Sequence, residues 1–180
     1  GALRGELLAA FERVLDSGQF ILRPEVERFE AACAEYLGAR HAIGVSSGTD
    51  ALLLALMALE VGPGDEVIVP DFSFFATAGC VTRVGATPVF GDVCRICYNL
   101  RPGEVERLLT KRTRAVIPVH LFGQAARVEE MVAVAEASSL AVVEDAAQAF
   151  GARREGRAVG TFGTFGAFSF FPTKNLGGFG

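Results

Sequence analysis

The chain has 180 residues and a formal net charge of −4 at pH 7, with 51% hydrophobic and 21% charged residues. This composition is typical of a globular domain with a sizeable core and excludes a disordered chain. The acidic balance, with both signs interspersed, gives no electrostatic reason to expect a nucleic acid or an anionic membrane as a partner. No uninterrupted apolar run approaches the ~20 residues that cross a bilayer.

The N-terminus and the cysteines bear on where the protein is located in the cell. Residues 1–6 do not resemble a signal peptide, and the missing Met suggests a piece of a longer protein. Cys94 and Cys97 have the C-x-x-C spacing of redox and zinc sites, but neither a second pair nor a histidine lies nearby in sequence, and zinc needs about four ligands. We therefore expect these two thiols, together with Cys33 and Cys80, to be reduced in a cytoplasmic protein that binds no metal.

The first elements are helical. Apolar residues at helical spacing predict a helix that ends at Ser17-Gly18, and Pro24 predicts the start of a second helix that ends at Gly38. A short buried strand is predicted over residues 42–45, followed by a polar turn and an apolar helix over residues 51–59.

From residue 66 onward, predicted strands and helices alternate. Strands are predicted over residues 66–70, 87–93, 115–119 and 140–143, and helices from about residue 74, over 102–109 and over 127–137. A Gly- and Arg-rich connection over residues 151–166 then leads to a last, aromatic strand before Lys174. The pattern predicts an α/β fold, a three-layer αβα sandwich with a mostly parallel sheet, in one domain over residues 1–180.

Polar clusters follow several of these strands, at the edge where open α/β sheets bind ligands. The turn Ser46-Ser47-Gly48-Thr49-Asp50 opens a helix, so its N–H groups and helix dipole suit an anion such as phosphate. An ordinary helix N-cap explains the same residues, and an acidic residue there could oppose a phosphate. The turn has neither the P-loop pattern nor G-x-G-x-x-G.

Aromatic and acidic residues follow two further strands. Phe72, Phe74 and Phe75 are explained either as core residues or as a face for a flat ring. Glu144 and Asp145 end a buried strand, where carboxylates need a partner; a cationic heterocycle would supply one, and helix capping by Asp145 is the alternative.

The lysines and His120 complete the candidates. Fifteen of the seventeen basic residues are Arg, and the two lysines are Lys111, in a charged turn, and Lys174, after the aromatic run. A partly desolvated Lys174 would be a usable nucleophile for Schiff-base chemistry, although a lysine that extends from a strand end into water fits the same sequence. A lone His at a strand end, such as His120, is more often a hydrogen-bonded structural residue.

One ligand would use all of these parts. A phosphate seat, a face for a ring, a carboxylate for a ring nitrogen and a desolvated lysine together suit pyridoxal 5′-phosphate (PLP).

The same segments resemble a known family. The chain is similar over essentially all its length to the large-domain portion of a PLP-dependent sugar aminotransferase of the DegT/StrS family, in the aspartate-aminotransferase fold group. The matching segments are SGTDAL at 47–52, SFFAT at 73–77, VHLFGQ at 119–124, EDAAQ at 144–148 and SFFPTKNLG at 169–177.

The resemblance implies a role for each ring-binding residue. Lys174 would be the Schiff-base lysine and the acid/base of the proton shift. Asp145 would bind the pyridine nitrogen, Gln148 the phenolic oxygen, and Phe74 would stack on the ring. Some family members carry His at the lysine position and dehydrate their substrate, so Lys174 favours transamination.

The resemblance also implies the phosphate ligands and the assembly. Gly48, Thr49 and Asp50 would bind the phosphate through the helix N-terminus, and Ser169 would add its hydroxyl. The whole protein would be a homodimer with a C-terminal small domain beyond residue 180. The loop over residues 92–98, with its two cysteines, departs from a family loop that is usually acidic and free of cysteine.

Three functions fit this pattern. The first is transfer of an amino group from an amino acid, with glutamate or glutamine as donor, to a keto-sugar nucleotide. The second is a non-catalytic fragment or assembly domain that keeps the fold, and the third is a PLP-dependent sugar dehydratase or lyase. A nicotinamide-binding domain is disfavoured because no Gly-rich fingerprint follows the first strand.

Overall fold

The computed structural model describes residues 3–22 and 24–178. The described residues up to Gly44 form one compact unit, and those from Val45 onward form another. The single domain over residues 1–180 stays a prediction. No helix in the described ranges is both long and apolar enough to cross a membrane.

The first unit contains two helices, α1 (Arg4–Ser17) and α2 (Pro24–Leu37). Gly18 ends α1 because it adopts a left-handed conformation with φ 62°, in which its N–H donates to Leu15 O at 3.1 Å. Gly38, with φ 70°, follows α2 in the same conformation. The helix ends predicted at both glycines and the helix start predicted at Pro24 are confirmed.

The buried strand predicted over residues 42–45 is wrong. This segment has no strand pairing, and Ile43 is 80% exposed. The Gly44 N–H donates to the Glu30 carboxylate at 2.5 Å, so its hydrogen bond goes to a side chain of α2 and not to a neighbouring strand.

The second unit is built on a parallel sheet. The strands of this unit are β1 (Glu66–Pro70), β2 (Thr87–Gly91), β3 (Thr113–Val116), β4 (Ala141–Asp145), β5 (Arg153–Arg154), β6 (Arg157–Ala158) and β7 (Phe165–Ala167). Five of them form the sheet in the spatial order β2-β1-β3-β4-β7, and every pairing between them is parallel. A short antiparallel hairpin, β5 with β6, lies in the connection before the last strand.

Helices cover both faces of this sheet. They are α3 (Gly48–Ala58), α4 (Ala76–Arg83), α5 (Pro102–Leu108) and α6 (Val128–Ala137), and a 3₁₀ turn spans Leu121–Gly123. Along β1, Val67 and Val69 pack in one core cluster with residues of α3 and α4, while Ile68 packs in another with residues of α5 and α6. Alternate residues of a strand point to opposite faces, so this strand is buried from both sides. The α/β fold with three layers and a parallel sheet is confirmed.

The aromatic strand predicted just before Lys174 is wrong in position. The last strand, β7, ends at Ala167, which pairs with Asp145 at the end of β4. Beyond Asp145 the chain of β4 turns away, so the following aromatic residues have no strand to pair with, and Phe171 is 61% exposed. The other predicted strands and helices are present, with ends shifted by a few residues.

Candidate active site

The carboxyl ends of the parallel strands place the predicted site residues at one edge of the sheet. Asp145 is the last residue of β4, and its side chain is buried with 5% exposure. Thr77 Oγ1, from α4, donates to Asp145 Oδ2 at 2.8 Å, and the Ala147 N–H donates to Asp145 Oδ1 at 3.2 Å. The Ser73 and Thr77 hydroxyl oxygens lie 2.8 Å apart, and because Thr77 gives its proton to the carboxylate, Ser73 donates to Thr77.

Burial sets the charge behaviour of Asp145. Desolvation raises the pKa of this carboxyl, against the opposing effects of the Thr77 hydroxyl, the Ala147 N–H and the nearby His120 and Lys174. Lys174 is thus close enough for its charge to act on Asp145, although one residue ends a strand and the other lies in the turn after β7. No helix follows Asp145, so the helix-capping interpretation of this residue is wrong.

Glu144 points to the opposite face of β4 and has a structural environment. Both Glu144 and His120 are fully buried, with His120 Nε2 2.9 Å from Glu144 Oε2. The Ala126 N–H donates to His120 Nδ1 at 3.0 Å, so Nδ1 is an acceptor and Nε2 carries the proton that goes to Glu144. The carboxylate also accepts three backbone N–H groups, at 2.6–2.8 Å, from Gly160, Phe162 and Gly163. His120 is therefore a hydrogen-bonded structural residue, as the sequence predicts.

The N-terminus of α3 forms a compact polar cap. Ser47 is the N-cap, and its Oγ accepts the Asp50 N–H at 3.0 Å. Asp50 Oδ2 accepts the hydroxyl protons of Ser46 at 2.7 Å and Ser47 at 2.9 Å, and Arg83 lies 3.7 Å from Oδ1. The Ser46 hydroxyl, followed by that of Ser47, lowers the pKa of Asp50. The Asp50 carboxylate is thus directed at the two serines.

Ser169 lies directly against this helix start. A Cβ placed on Gly48 would be 2.9 Å from Ser169 Cβ and 3.2 Å from Phe168 O. Only glycine allows so close an approach without a shift of the neighbouring chain. The structure therefore brings together Gly48, Thr49 and Ser169, three of the predicted phosphate ligands.

Gln148 is held by a backbone group of the loop after β3. Its Oε1 accepts the Phe122 N–H at 2.8 Å. A backbone N–H can only donate, so the atom it faces is the amide oxygen, and the Gln148 NH₂ group is left to donate elsewhere. Phe122 has the unusual φ of 55° and is 74% exposed.

The aromatic residues after β1 are exposed, so their interpretation as core residues is wrong. Phe74 is 69% and Phe75 81% exposed, while Phe72 packs its ring against Tyr98 with 5.6 Å between centroids. Phe74 O accepts the Thr77 N–H at 3.2 Å, so this ring is attached next to the residue that bonds Asp145.

Lys174 is half-buried in a tight turn. Its N–H donates to Phe171 O at 2.8 Å, and the Gly178 N–H donates to Phe170 O at 2.8 Å. Gly177 approaches the carbonyl oxygen of Pro172 so closely that a Cβ would collide with it. Glycine is required here because the chain folds back on itself immediately after the lysine.

Sequence reasoning missed two hydroxyl residues and one amide. Ser73 and Thr77 are four residues apart, a spacing that was available as a signal, since it places both hydroxyls on one side of a helix start. Asn99 is 3% exposed and bridges to the loop after β3, with Nδ2 donating to Gln124 O at 3.1 Å and Oδ1 accepting the Leu121 N–H at 3.2 Å. No sequence pattern pointed to Asn99.

Comparison with known proteins identifies the family. The model of the DegT/DnrJ/EryC1/StrS aminotransferase family matches residues 2–180. A UDP-N-acetyl-3-dehydro-alpha-D-glucosamine 3-aminotransferase from Acidithiobacillus ferrooxidans is 51% identical over 99% of this chain and 48% of its own length. The chain belongs to this aminotransferase family.

Two solved structures show the same fold. DesV from Streptomyces venezuelae, in complex with a ketimine intermediate, is 50% identical with a TM-score of 0.97, over 99% of this chain and 48% of that one. The PLP form of the putative sugar aminotransferase Spr1654 from Streptococcus pneumoniae is 30% identical with a TM-score of 0.91, over 94% of this chain and 47% of that one. This chain spans about half the length of the curated relatives it matches.

Proposed function

We propose that the chain is the PLP-binding large domain of an aminotransferase that moves an amino group from an amino acid, which we expect to be glutamate, to a keto-sugar nucleotide. The observation that carries this proposal is the buried Asp145 carboxyl, whose pKa is raised by burial and on which the charge of Lys174 acts. Perturbed carboxyls with a lysine nearby are typical of catalytic sites. The relatives' names, which describe sugar aminotransferases, support the substrate class.

The residues at this edge of the sheet fit PLP. A buried carboxylate is stabilised by a cation, and a protonated pyridine nitrogen would be one for Asp145. Since the Gln148 amide oxygen accepts the Phe122 N–H, its NH₂ group is the side that would donate to the phenolic oxygen, and the exposed ring of Phe74 offers a face for the pyridine ring.

The N-terminus of α3 would bind the phosphate group. The N–H groups of Gly48 and Thr49 belong to the first turn of α3, where donors have no partner within the helix. Ser169, in contact with Gly48, would add its hydroxyl. Asp50 would act through Ser46 and Ser47, because its carboxylate bonds their hydroxyls.

The chemistry then divides between the cofactor and the protein. When bound, PLP supplies a protonated ring that accepts the electrons left behind when a proton leaves the substrate Cα. Asp145 would keep the ring nitrogen protonated, with Thr77 and the Ala147 N–H fixing its orientation. Lys174 Nζ would first hold the cofactor and then accept and return the Cα proton.

The assembly and the location also belong to the proposal. We expect a homodimer, as the family resemblance implies. A cytoplasmic location rests on the free thiols, since all four cysteines, Cys33, Cys80, Cys94 and Cys97, are unpaired in the structure.

The test is an absorbance spectrum of the whole protein with PLP, followed by borohydride reduction and peptide mapping. We expect a visible band, a reduced label on Lys174, and a change of the band when glutamate is added. Lys174→Ala should abolish the band, whereas Lys111→Ala is the matched control, because the only other lysine lies exposed in a turn. A band that survives Lys174→Ala would overturn the assignment of the lysine, and no band with the unaltered protein would overturn the PLP proposal.

A further inference from the structure

The loop after β2 carries two cysteines that the proposed function does not use. Cys94 and Cys97 lie in one turn, in which the Tyr98 N–H donates to Cys94 O at 2.8 Å. Val93 and Leu100 form an antiparallel bridge that closes the loop around it. The first and last Cα atoms of a four-residue turn typically lie less than about 7 Å apart, and a disulfide forms across Cα separations of roughly 4.4–6.8 Å. The turn therefore places the two cysteines within bridging range.

The Cys94 sulfur atom has the environment of a reactive thiol. The Ile96 N–H approaches Cys94 Sγ at 3.5 Å. The backbone N–H of Cys97, then that of Ile96 and then the Cys97 side chain lower the pKa of the Cys94 thiol, with a further contribution from the charge of Arg101. The Cys97 side chain is thus close enough to Cys94 to affect the pKa of its thiol. Both cysteines are partly exposed, so a small molecule can reach them.

The other two cysteines provide an internal contrast. Cys33 and Cys80 are both buried. Burial raises the pKa of the Cys33 thiol, and it raises that of Cys80 to about 12. These two thiols are expected to be inert under conditions in which Cys94 reacts.

The turn is anchored on its C-terminal side. Tyr98 packs its ring against Phe72, and both ends of the buried Asn99 amide bond the loop that contains Leu121 and Gln124. The Cys94 N–H donates to Asn99 O at 2.9 Å. Because these contacts hold the turn in place, little conformational entropy is left to lose when a ring closes between the two sulfur atoms.

We propose that Cys94 and Cys97 form a redox-active dithiol, which is oxidised reversibly to a disulfide within the loop by exchange with a small-molecule disulfide. The Cys94 thiolate attacks one sulfur of the small disulfide, whose S–S bond breaks, and the departing thiolate takes up a proton. The Cys97 sulfur then releases its proton to solvent and attacks Cys94 Sγ, forming the protein disulfide and releasing the second small thiol. The two protein thiols are oxidised, and one disulfide is reduced to two thiols.

A metal site is a poorer explanation of the pair. Among residues 3–22 and 24–178, no group of three or more His, Cys, Asp or Glu side chains could hold a metal ion. Two thiolates supply half of the ligands that a structural zinc ion takes.

The experiment equilibrates the whole protein in buffers of varied ratio of reduced to oxidised glutathione, quenches with acid, alkylates the free thiols and maps the peptides by mass. We expect the 94–97 peptide to lose alkylation at both cysteines together, to become lighter by the two thiol hydrogens, and to recover fully with dithiothreitol. When the quenched protein is alkylated in denaturant, Cys33 and Cys80 should be modified at every ratio, because neither has been oxidised. If the peptide keeps both thiols free at every ratio, or carries only glutathione, the proposal is overturned.

Single variants test the order of attack. In Cys97→Ser, Cys94 should accumulate the glutathione mixed disulfide, because no second thiol can displace it. In Cys94→Ser, glutathione should attach to the remaining Cys97 more slowly, because the variant lacks the Cys94 thiol that the backbone N–H groups activate. Equal rates of glutathione attachment in the two variants would contradict the assignment of Cys94 as the attacking thiol. Neither residue belongs to the proposed cofactor site, so failure of the PLP proposal leaves this test unaffected.

Discussion

The burial of the Asp145 carboxyl determines how this residue affects stability as the pH changes. A carboxyl whose pKa is raised on folding binds its proton more tightly in the folded than in the unfolded chain. Without a cationic ligand, its contribution to stability is therefore greatest below the unfolded pKa of about 4, and it is lost as the pH rises through the higher folded value. A cationic ligand reverses this effect by stabilising the charged form.

Asp145→Asn should separate these two effects. Without cofactor, the variant should melt at a higher temperature than the unaltered protein, by an amount that grows as the pH rises above about 4 and levels off beyond the folded pKa, with each 1 kcal/mol corresponding to roughly 2–4 °C. The amide fits because the Thr77 hydroxyl can turn to accept from the new NH₂ group.

With cofactor, the order of stability should invert. The loss of one partner of a buried charge pair costs about 2–5 kcal/mol, so affinity for PLP should fall by roughly 30-fold to several thousand-fold. Melting curves at several pH values, with and without PLP, measure both effects. A pH-independent difference between the two proteins without cofactor would contradict the role of desolvation.

Gly48→Ala tests the proposed phosphate site by adding one methyl group at the start of α3. The added Cβ would lie 2.9 Å from Ser169 Cβ, so the contact between the start of α3 and Ser169 must open. We expect weaker binding of PLP but little change for pyridoxal, which lacks the phosphate; fluorescence titration measures both. Gly103→Ala is the control, because it also lies in the first turn of a helix and has open space around its Cβ. Equal loss for PLP and pyridoxal would argue against phosphate at this position.

At the scale of the element, β4 separates two functions by side-chain alternation. Asp145 faces Thr77 of α4, whereas Glu144 faces His120 and the loop before β7. The Glu144 carboxylate thus fixes the path of the chain toward β7 and, through it, toward Ser169 and Lys174.

Replacement of Glu144 should lower the free energy of unfolding more than replacement of its buried partner His120. Glu144→Leu leaves four donors without an acceptor, each worth about 1–3 kcal/mol, and should prevent stable folding or lower stability by more than about 4 kcal/mol. His120→Leu leaves Glu144 three of its four donors and should cost roughly half as much. Urea denaturation of both variants measures the difference. Equal costs would mean that the backbone N–H groups contribute little.

The spacing of apolar residues, and the Gly and Pro residues at helix ends, predicted most helices and strands. Strands buried on both faces and helices bounded by Gly or Pro leave strong local signals in the sequence. The strand predicted over residues 42–45 failed because its backbone is satisfied by the Glu30 side chain, a contact no local pattern encodes. The aromatic run after Ala167 failed because β-structure needs a partner strand, and β4 ends at Asp145.

Prediction of the site divides in the same way. Asp145 could be singled out as a carboxylate at the end of a strand and Lys174 as one of only two lysines, whereas the role of Gln148 was implied by the family resemblance alone. The Ser73–Thr77–Asp145 chain and the Asn99 bridge could not, since they join residues of different elements.

At the scale of the whole molecule, the exposed apolar face of α1 would be stabilised by packing against another surface. None of its described residues is buried, and its apolar stripe is exposed, with Leu7 56%, Phe11 59% and Leu15 51% accessible. An isolated helix of fewer than about 12–15 residues is marginal in water, and most helices are stabilised by packing an apolar face. In the proposed homodimer, a second copy of the protein would cover this stripe.

Replacement of this stripe should therefore weaken the dimer. Each fully buried Leu or Phe side chain contributes about 1.5–3 kcal/mol, so Phe11→Ser combined with Leu15→Ser should raise the dimer dissociation constant by roughly 10²-fold or more. Sedimentation velocity of the whole protein over a dilution series measures the constant. Glu12→Gln combined with Arg13→Gln, at adjacent exposed positions of the same helix, should leave it unchanged. A dimer that resists dilution equally in both variants would show that the second copy does not cover α1, because loss of this much buried apolar area cannot leave the association constant unaltered.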